Sequence, residues 1–196
     1  MLTRNRLFLV MVFMLAAGVP ANAHCDGWDG PVVKAGQQAL ETGNVNLALI
    51  WVSAAEENDI RSLFQKVVRV RKAGPEAKEL AETYFLETLV RLHRAGEGEA
   101  YTGLKAPGRD LGPIIPAYDR AVESEQGDQK LAGLFEAAQR PGILEKVRAV
   151  RAARRFEPDD VPAGREFVRQ YVALLHHLLE LQPGSSTEEH HQHHAH

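Results

Sequence analysis

The chain has 196 residues, a formal net charge of −3 and 44% hydrophobic residues. Its basic residues form no stripe along the sequence, which excludes a nucleic acid as the expected partner. A single cysteine, Cys25, excludes an internal disulfide. It leaves three roles for the thiol: a free reactive group, a metal ligand or an intermolecular bridge.

The first 23 residues are typical of a signal peptide. Arg4 and Arg6 precede an apolar run over 7–17, and residues 21–23 (Ala-Asn-Ala) form a small-x-small cleavage site. The run of about 11 residues is too short for a membrane anchor, which needs ~20. We therefore expect a mature chain that begins at His24, a periplasmic or secreted location and no stable membrane anchor. Cleavage leaves about 173 residues, enough for a sizeable core.

Beyond the cleavage site the apolar pattern predicts helices and no strands. In chain order the expected helices span about 32–40, 46–54, 59–73, 75–95, 114–125, 128–139, 141–153 and 159–181. Residues 96–113 are rich in glycine and proline and predict a loop. The sequence thus predicts an all-α helical bundle over 24–182, between the signal peptide 1–23 and a disordered His-rich tail over 183–196.

The tail carries five histidines: His190, His191, His193, His194 and His196. Such tracts bind nickel, copper or zinc weakly through neutral imidazoles. An inert tail or a purification tag is the alternative. The irregular spacing favours a natural metal-collecting tail.

A mature start at His24 would place four donors within two residues. These donors are the α-amine and imidazole of His24 and the amide and thiolate of Cys25. Because short covalent links join them, little entropy is lost when they are ordered around an ion. Thiolate and imidazole together favour nickel or copper, with zinc as an alternative. The competing interpretation is a terminus with a buried thiol, since cysteine also behaves as a small apolar residue.

The helix over 75–95 carries a second candidate ligand. Leu86, Leu89, Val90 and His93 share one face of it, which places His93 at the end of a buried stripe. Two interpretations stay open at this point. His93 either meets the last carbonyls and the helix dipole, or it is a metal ligand or proton relay.

Four acidic residues are weaker candidates for an oxygen ligand: Asp26, Glu57, Glu87 and Glu97. Three of them have an alternative role. Glu57 can place negative charge at the start of the next helix. Glu87 is spaced for an i,i+4 ion pair with Arg91. Glu97 lies in a Gly-Glu-Gly turn and can pin the loop.

Two further features lie in the second half of the chain. The glycine-rich loop is expected to fold over the helix that carries His93 and to bring Tyr101 near it, because long loops in compact domains are often functional. His176 and His177 lie between leucines of the last helix. One of them must face its apolar side, where a core or interface histidine is the default expectation.

The start His24-Cys25-Asp26 resembles the metal-binding hook of nickel superoxide dismutases. The resemblance implies a metal held by the amine and imidazole of His24 and by the amide and thiolate of Cys25, and an oxidoreductase activity on superoxide. The hook family has a second cysteine preceded by a proline, and these positions are Asp29 and Trp28 here. The similarity covers three residues and a general helical architecture.

A wider resemblance spans most of the chain. Residues 84–98 (YFLETLVRLHRAGEG) and 101–104 (YTGL), together with the His-Cys-Asp start, resemble an uncharacterised family of exported bacterial proteins. This resemblance implies export and brings no established activity.

Nucleophile elbows, phosphate loops, dinucleotide fingerprints and HExxH helices are absent from the sequence. One remaining function is a redox metalloprotein, with a metal held by His24 and Cys25 and completed by His93 or a nearby acid. Another is a non-catalytic chaperone or buffer for copper, nickel or zinc. A structural helical interaction protein without metal is the third. The sequence leaves open whether the chain is an enzyme and whether it forms a homo-oligomer.

The first prediction concerns processing. Intact-mass measurement of the protein recovered after export is expected to show a chain that begins at His24, because the cleavage site ends at the preceding alanine. A mature chain with any other first residue would contradict the α-amine donor of His24.

Overall fold

The computed structural model describes residues 22–182. Most of the predicted signal peptide, up to residue 21, and the tail from residue 183, with its five histidines, lie outside the described residues. Within 22–182 the fold is all-α, which confirms the predicted class. The helices are α1 Asn22–Cys25, α2 Pro31–Thr42, α3 Asn46–Leu49, α4 Glu57–Val70, α5 Pro75–Gly96, α6 Ile114–Glu123, α7 Asp128–Ala132, α8 Arg140–Ala153 and α9 Val161–Glu180. Short 3-10 turns occupy Ala54–Glu56 and Glu125–Gly127. None of these helices is both long and apolar enough to cross a bilayer.

Helix α5 is the centre of the first half of the bundle, where it packs against α2 and α4. Pro75 opens it, as expected for a residue without a backbone donor at the first helical position. Its inner face buries Phe85, Leu86 and Leu89 almost completely. Each such side chain contributes about 1.5–3 kcal/mol by leaving water. This packing fixes the last turn of α5, which carries His93.

Helix α9 spans the second half of the bundle and packs against α3, α6 and α8. The Asp160 side chain caps it by accepting a hydrogen bond of 3.1 Å from the Ala163 amide. Phe167, Tyr171 and Leu175 are buried on its inner face. Through these residues α9 covers the segment that contains Trp51.

Two predicted helices are wrong in extent. The helix over 46–54 is a single turn, Asn46–Leu49, and the Ser53 side chain then accepts from the Ala55 amide to begin the next turn. The Asn46 side-chain amide donates to Asp159 at 2.8 Å and does not cap the helix. The helix over 128–139 ends at Ala132, directly before Gly133, a residue with low helix propensity. Because α3 ends early, Trp51 lies outside any helix. The Trp51 carbonyl can therefore accept a hydrogen bond from a side chain.

The loop after α5 returns to the N-terminal segment. The Lys105 amide donates to the Asp26 carbonyl at 2.8 Å, and the Trp28 amide donates to the Lys105 carbonyl at 3.0 Å. Tyr101 is half-buried against the core, and its pKa is raised by burial and by the negative charge of Glu87 on α5. The loop therefore lies against the helix that carries His93, as the sequence predicted.

The close contact between α9 and the segment before it yields a stability prediction. A Cβ on Gly164 would lie 2.3 Å from Ile50 Cγ2 and 2.9 Å from Phe156 Cε2. We expect Gly164→Ala to lower the free energy of unfolding by about 1–3 kcal/mol, measured by urea denaturation with circular dichroism. The control is Gly142→Ala in α8, where a Cβ meets no heavy atom within 4 Å. Equal effects of the two substitutions would contradict the packing argument.

Candidate metal centre

Cys25, His93 and Glu97 converge at the C-terminal end of α5. One donor atom from each residue lies within 4.8 Å of the other two. Cys25 and His93 are each 4% exposed, and the Glu97 side chain is 12% exposed. His93 and Glu97 are four residues apart and so share one face, while Cys25 comes from the end of α1. We call this group the Cys-His-Glu cluster.

The protonation of His93 follows from its hydrogen bond. Nδ1 lies 2.9 Å from the Trp51 carbonyl oxygen, which can only accept, so Nδ1 carries the hydrogen and donates it. Burial lowers the pKa of His93 and favours the neutral ring. The negative charge of Glu97 acts in the opposite direction and is the smaller effect. The lone pair is then on Nε2, which lies 3.4 Å from Glu97 Oε1. Within residues 22–182 neither of these two atoms has a hydrogen-bond partner.

The Cys25 thiol completes a group of electron-rich atoms. Burial strongly raises its pKa, and the negative charge of Glu97 adds to the effect. Without a cation the sulfur is therefore protonated. A divalent ion at the same place would interact favourably with all three donors, and its binding would release the thiol proton to solvent.

Arg94 holds the carboxylate of Glu97 in this position. Its guanidinium is 1% exposed and donates to Glu97 Oε2 at 2.6 Å, which leaves Oε1 for the cluster. The same guanidinium lies 3.6 Å from Asp26 Oδ1 and 3.4 Å from Glu99 Oε2. A buried charge requires such partners. Asp26, a weaker candidate ligand from the sequence, therefore lies beside Arg94 and is not one of the three converging donors.

His24 faces a different part of the core. Its Nε2 lies 3.0 Å from the Tyr171 hydroxyl and 3.1 Å from Asp119 Oδ2. The Tyr171 hydroxyl itself donates to Asp119, so His24 Nε2 is the donor to that carboxylate. Its Nδ1 is buried and has no hydrogen-bond partner among the described residues. The imidazole of His24 does not join the Cys25 thiol, so the geometry gives no support to a hook of the nickel superoxide dismutase type.

The other sequence candidates lie apart from the cluster. Glu57 accepts hydrogen bonds from Arg165 and Arg61, each at 2.8 Å, and these bonds lower its pKa. It is thus an ion-pairing acid at the start of α4. Glu87 and Arg91 are both exposed on α5, and the ion pair predicted between them is absent from the described residues. Glu87 has no place near the three donors.

Sequence reasoning missed three contributors to this region. Arg94 precedes Glu97 by three residues on α5, so their spacing was a usable signal for an ion pair. Asp119 and Tyr171 lie on separate helices, and no local pattern links them to His24. Their proximity is a product of the tertiary fold alone.

The buried guanidinium yields a prediction. We expect Arg94→Met to lower the free energy of unfolding by about 3–5 kcal/mol, because it leaves carboxylates buried without a counter-charge. Arg91→Met, on the exposed face of the same helix, is expected to change the free energy of unfolding by less than about 0.5 kcal/mol.

The cost of Arg94→Met is also expected to depend on pH. Burial already raises the pKa of Asp26 above 3.8, and Arg94 opposes that rise. Without Arg94 the folded state binds the Asp26 proton more tightly than the unfolded state does. The free energy of unfolding of Arg94→Met is therefore expected to fall as the pH rises above 3.8, the ordinary pKa of the carboxyl. Urea denaturation of both variants at about pH 5 and about pH 8 measures this. Two results would contradict the account. One is an equal loss of unfolding free energy in Arg94→Met and Arg91→Met, and the other is a loss in Arg94→Met that becomes smaller as the pH rises.

Comparison with protein families places most of the chain in a known family. A family of unknown function, DUF6448, matches residues 29–177. The match includes His93 and Glu97 and begins after His24-Cys25-Asp26. Neither the curated proteins nor the solved structures contain a match. The chain therefore belongs to DUF6448, a family of unknown function, in agreement with the uncharacterised family that the sequence resembled.

Proposed function

We propose that this protein is an exported metal-binding protein that holds one transition-metal ion in the Cys-His-Glu cluster. The observation that carries the proposal is the convergence of the three donor atoms within 4.8 Å in a buried place. Two of them, His93 Nε2 and Glu97 Oε1, have no hydrogen-bond partner. Unsatisfied buried polar atoms are costly, and a bound ion would satisfy both.

The donor set indicates the class of ion. A thiolate and an imidazole favour copper, nickel or zinc over magnesium or calcium, which prefer oxygen ligands. Nickel or copper is the favoured ion of the proposal, and zinc is the alternative. Three protein ligands also leave a position for another ligand, as in catalytic zinc sites.

The residues around the donors support the same proposal. His93 is oriented by the Trp51 carbonyl, and Glu97 is oriented by Arg94. Hydrogen bonds of this kind typically fix the tautomer and direction of metal ligands. The edge of Trp51 also packs on the His93 ring, with ring centroids 5.5 Å apart.

A nucleophilic thiol is the main competing chemistry for a cysteine beside a histidine. In such a relay the acid bonds the imidazole nitrogen opposite the thiol. Here the Trp51 carbonyl occupies Nδ1, and Glu97 lies beside Nε2. An activated thiol also has a lowered pKa, whereas burial raises the pKa of Cys25. The geometry therefore favours an ion over a nucleophile.

Burial bears on what the ion would do. A buffer or chaperone exchanges its ion readily and can use an exposed, mobile terminus. Here His24, Cys25 and Asp26 are all buried against the bundle. This supports an ion that stays in place over a carrier of copper, nickel or zinc. A redox metalloprotein acting on superoxide or a related small oxidant is the proposed use of such an ion, because three protein ligands leave a position for another ligand.

Metal titration of the mature chain from His24 tests the proposal. We expect one tight equivalent of nickel or copper, with a sulfur-to-metal charge-transfer band. Cys25→Ser and His93→Gln are each expected to weaken the affinity at least about 100-fold, because each removes a ligand. Glu87→Gln, on the exposed face of α5, is the matched control and is expected to bind as the parent does.

A second form separates the cluster from the tail. Truncation after Gly184 removes all five tail histidines and is expected to leave the tight equivalent intact, because each imidazole on a flexible segment must be ordered at an entropic cost. Loss of the tight equivalent on truncation, together with its survival in Cys25→Ser, would contradict the proposed function.

A further inference from the structure

A groove of about 540 Å³ opens beside the Cys-His-Glu cluster. It runs between residues 50–53, the end of α5 and the outer face of α9. His93 and Glu97 both line it, so two of the three buried donors border this groove. Its walls are largely apolar, with Ile50, Val168 and Val172 among them.

His176 lines the same groove from α9 and is half-buried there. The neighbouring His177 lies on another side of α9, in a surface depression with Lys146 and Gln170. The two adjacent histidines therefore differ in what they can reach, and only His176 shares a cavity with the cluster.

Two arginines line the groove, and both are ion-paired. Arg165 donates to the Glu57 carboxylate, which it shares with Arg61, and to the Val52 carbonyl. Arg169 donates to both carboxylate oxygens of Glu166. The candidate ligands for a cation in the groove are therefore the imidazoles of His93 and His176 and the Glu97 carboxylate.

We propose that His176 is an uptake ligand, a transient site that receives a hydrated divalent transition-metal ion and passes it to the Cys-His-Glu cluster. This inference rests on the proposed function of that cluster. An ion that moves along an apolar wall loses hydration without compensation, which is costly. A neutral imidazole partway along replaces water ligands for nickel, copper or zinc and lowers that cost. The rate of uptake then depends on His176, whereas the final ligand set does not.

Stopped-flow mixing of the mature full-length chain with excess Ni(II) tests the inference. The rise of the sulfur-to-nickel charge-transfer band reports arrival at Cys25. His176→Gln is expected to slow that rise at least tenfold and to leave the final spectrum and the stoichiometry unchanged. His177→Gln is the matched control and is expected to keep the parent rate. His176→Asp, which restores a metal-binding side chain, is expected to be faster than His176→Gln.

Two results would overturn the inference while the proposed function stands. One is an equal rate for His176→Gln and His177→Gln. The other is a changed final spectrum in His176→Gln, which would make His176 a resident ligand. Failure of the proposed function is recognised separately, because the parent chain would then show no charge-transfer band, or Cys25→Ser would retain it.

Discussion

The Arg94 guanidinium, buried at the end of α5, is the interaction on which the rest of this region depends. A buried positive charge is tolerated only with anionic partners, and Arg94 takes them from three directions. Asp26 comes from the N-terminal segment, Glu97 from the turn after α5 and Glu99 from the loop. The residue before Asp26 is Cys25, so the same charge that gathers the carboxylates also places the thiol beside His93.

Trp51 connects this region to the second half of the bundle. Its carbonyl orients His93, and its indole ring packs edge-on against both His93 and Tyr171. Tyr171 in turn lies between Asp119 and His24. Two buried imidazoles are thus each held by one nitrogen, while the other nitrogen has no partner in the described part of the chain. Polar atoms left unsatisfied in a core reduce stability, and such exceptions are typical of functional sites.

The sequence predicted the long helices well and the short ones poorly. The bounds of α5, α8 and α9 follow from apolar periodicity and from prolines at their first turns, which are local signals. The segments 46–54 and 128–139 carry similar periodicity, but their helices end early, at Leu49 and at Ala132 before Gly133. The Asn46 side chain binds Asp159, more than a hundred positions away, and that partner cannot be read from a local window.

The candidate site could also be predicted from the sequence only in part. Cys25 and His93 were recognisable from their chemistry and from the helical stripe. Their proximity depends on the pairing of Asp26 with Lys105 and on Arg94, which are tertiary contacts. His24 was expected in the same site because it adjoins Cys25. Neighbouring residues in a short helix point in different directions, and the ring of His24 contacts Asp119 and Tyr171 instead.

X-ray absorption spectroscopy of the mature chain carrying one equivalent of zinc, used as the probe ion, tests the central claim most directly. Coordination in the Cys-His-Glu cluster predicts one sulfur at ~2.3 Å, from Cys25, with the remaining ligands being nitrogen or oxygen at ~2.0–2.2 Å. The sulfur contribution should vanish in Cys25→Ser. A first shell of nitrogen and oxygen alone in the parent chain, as tail imidazoles would give, would contradict the account.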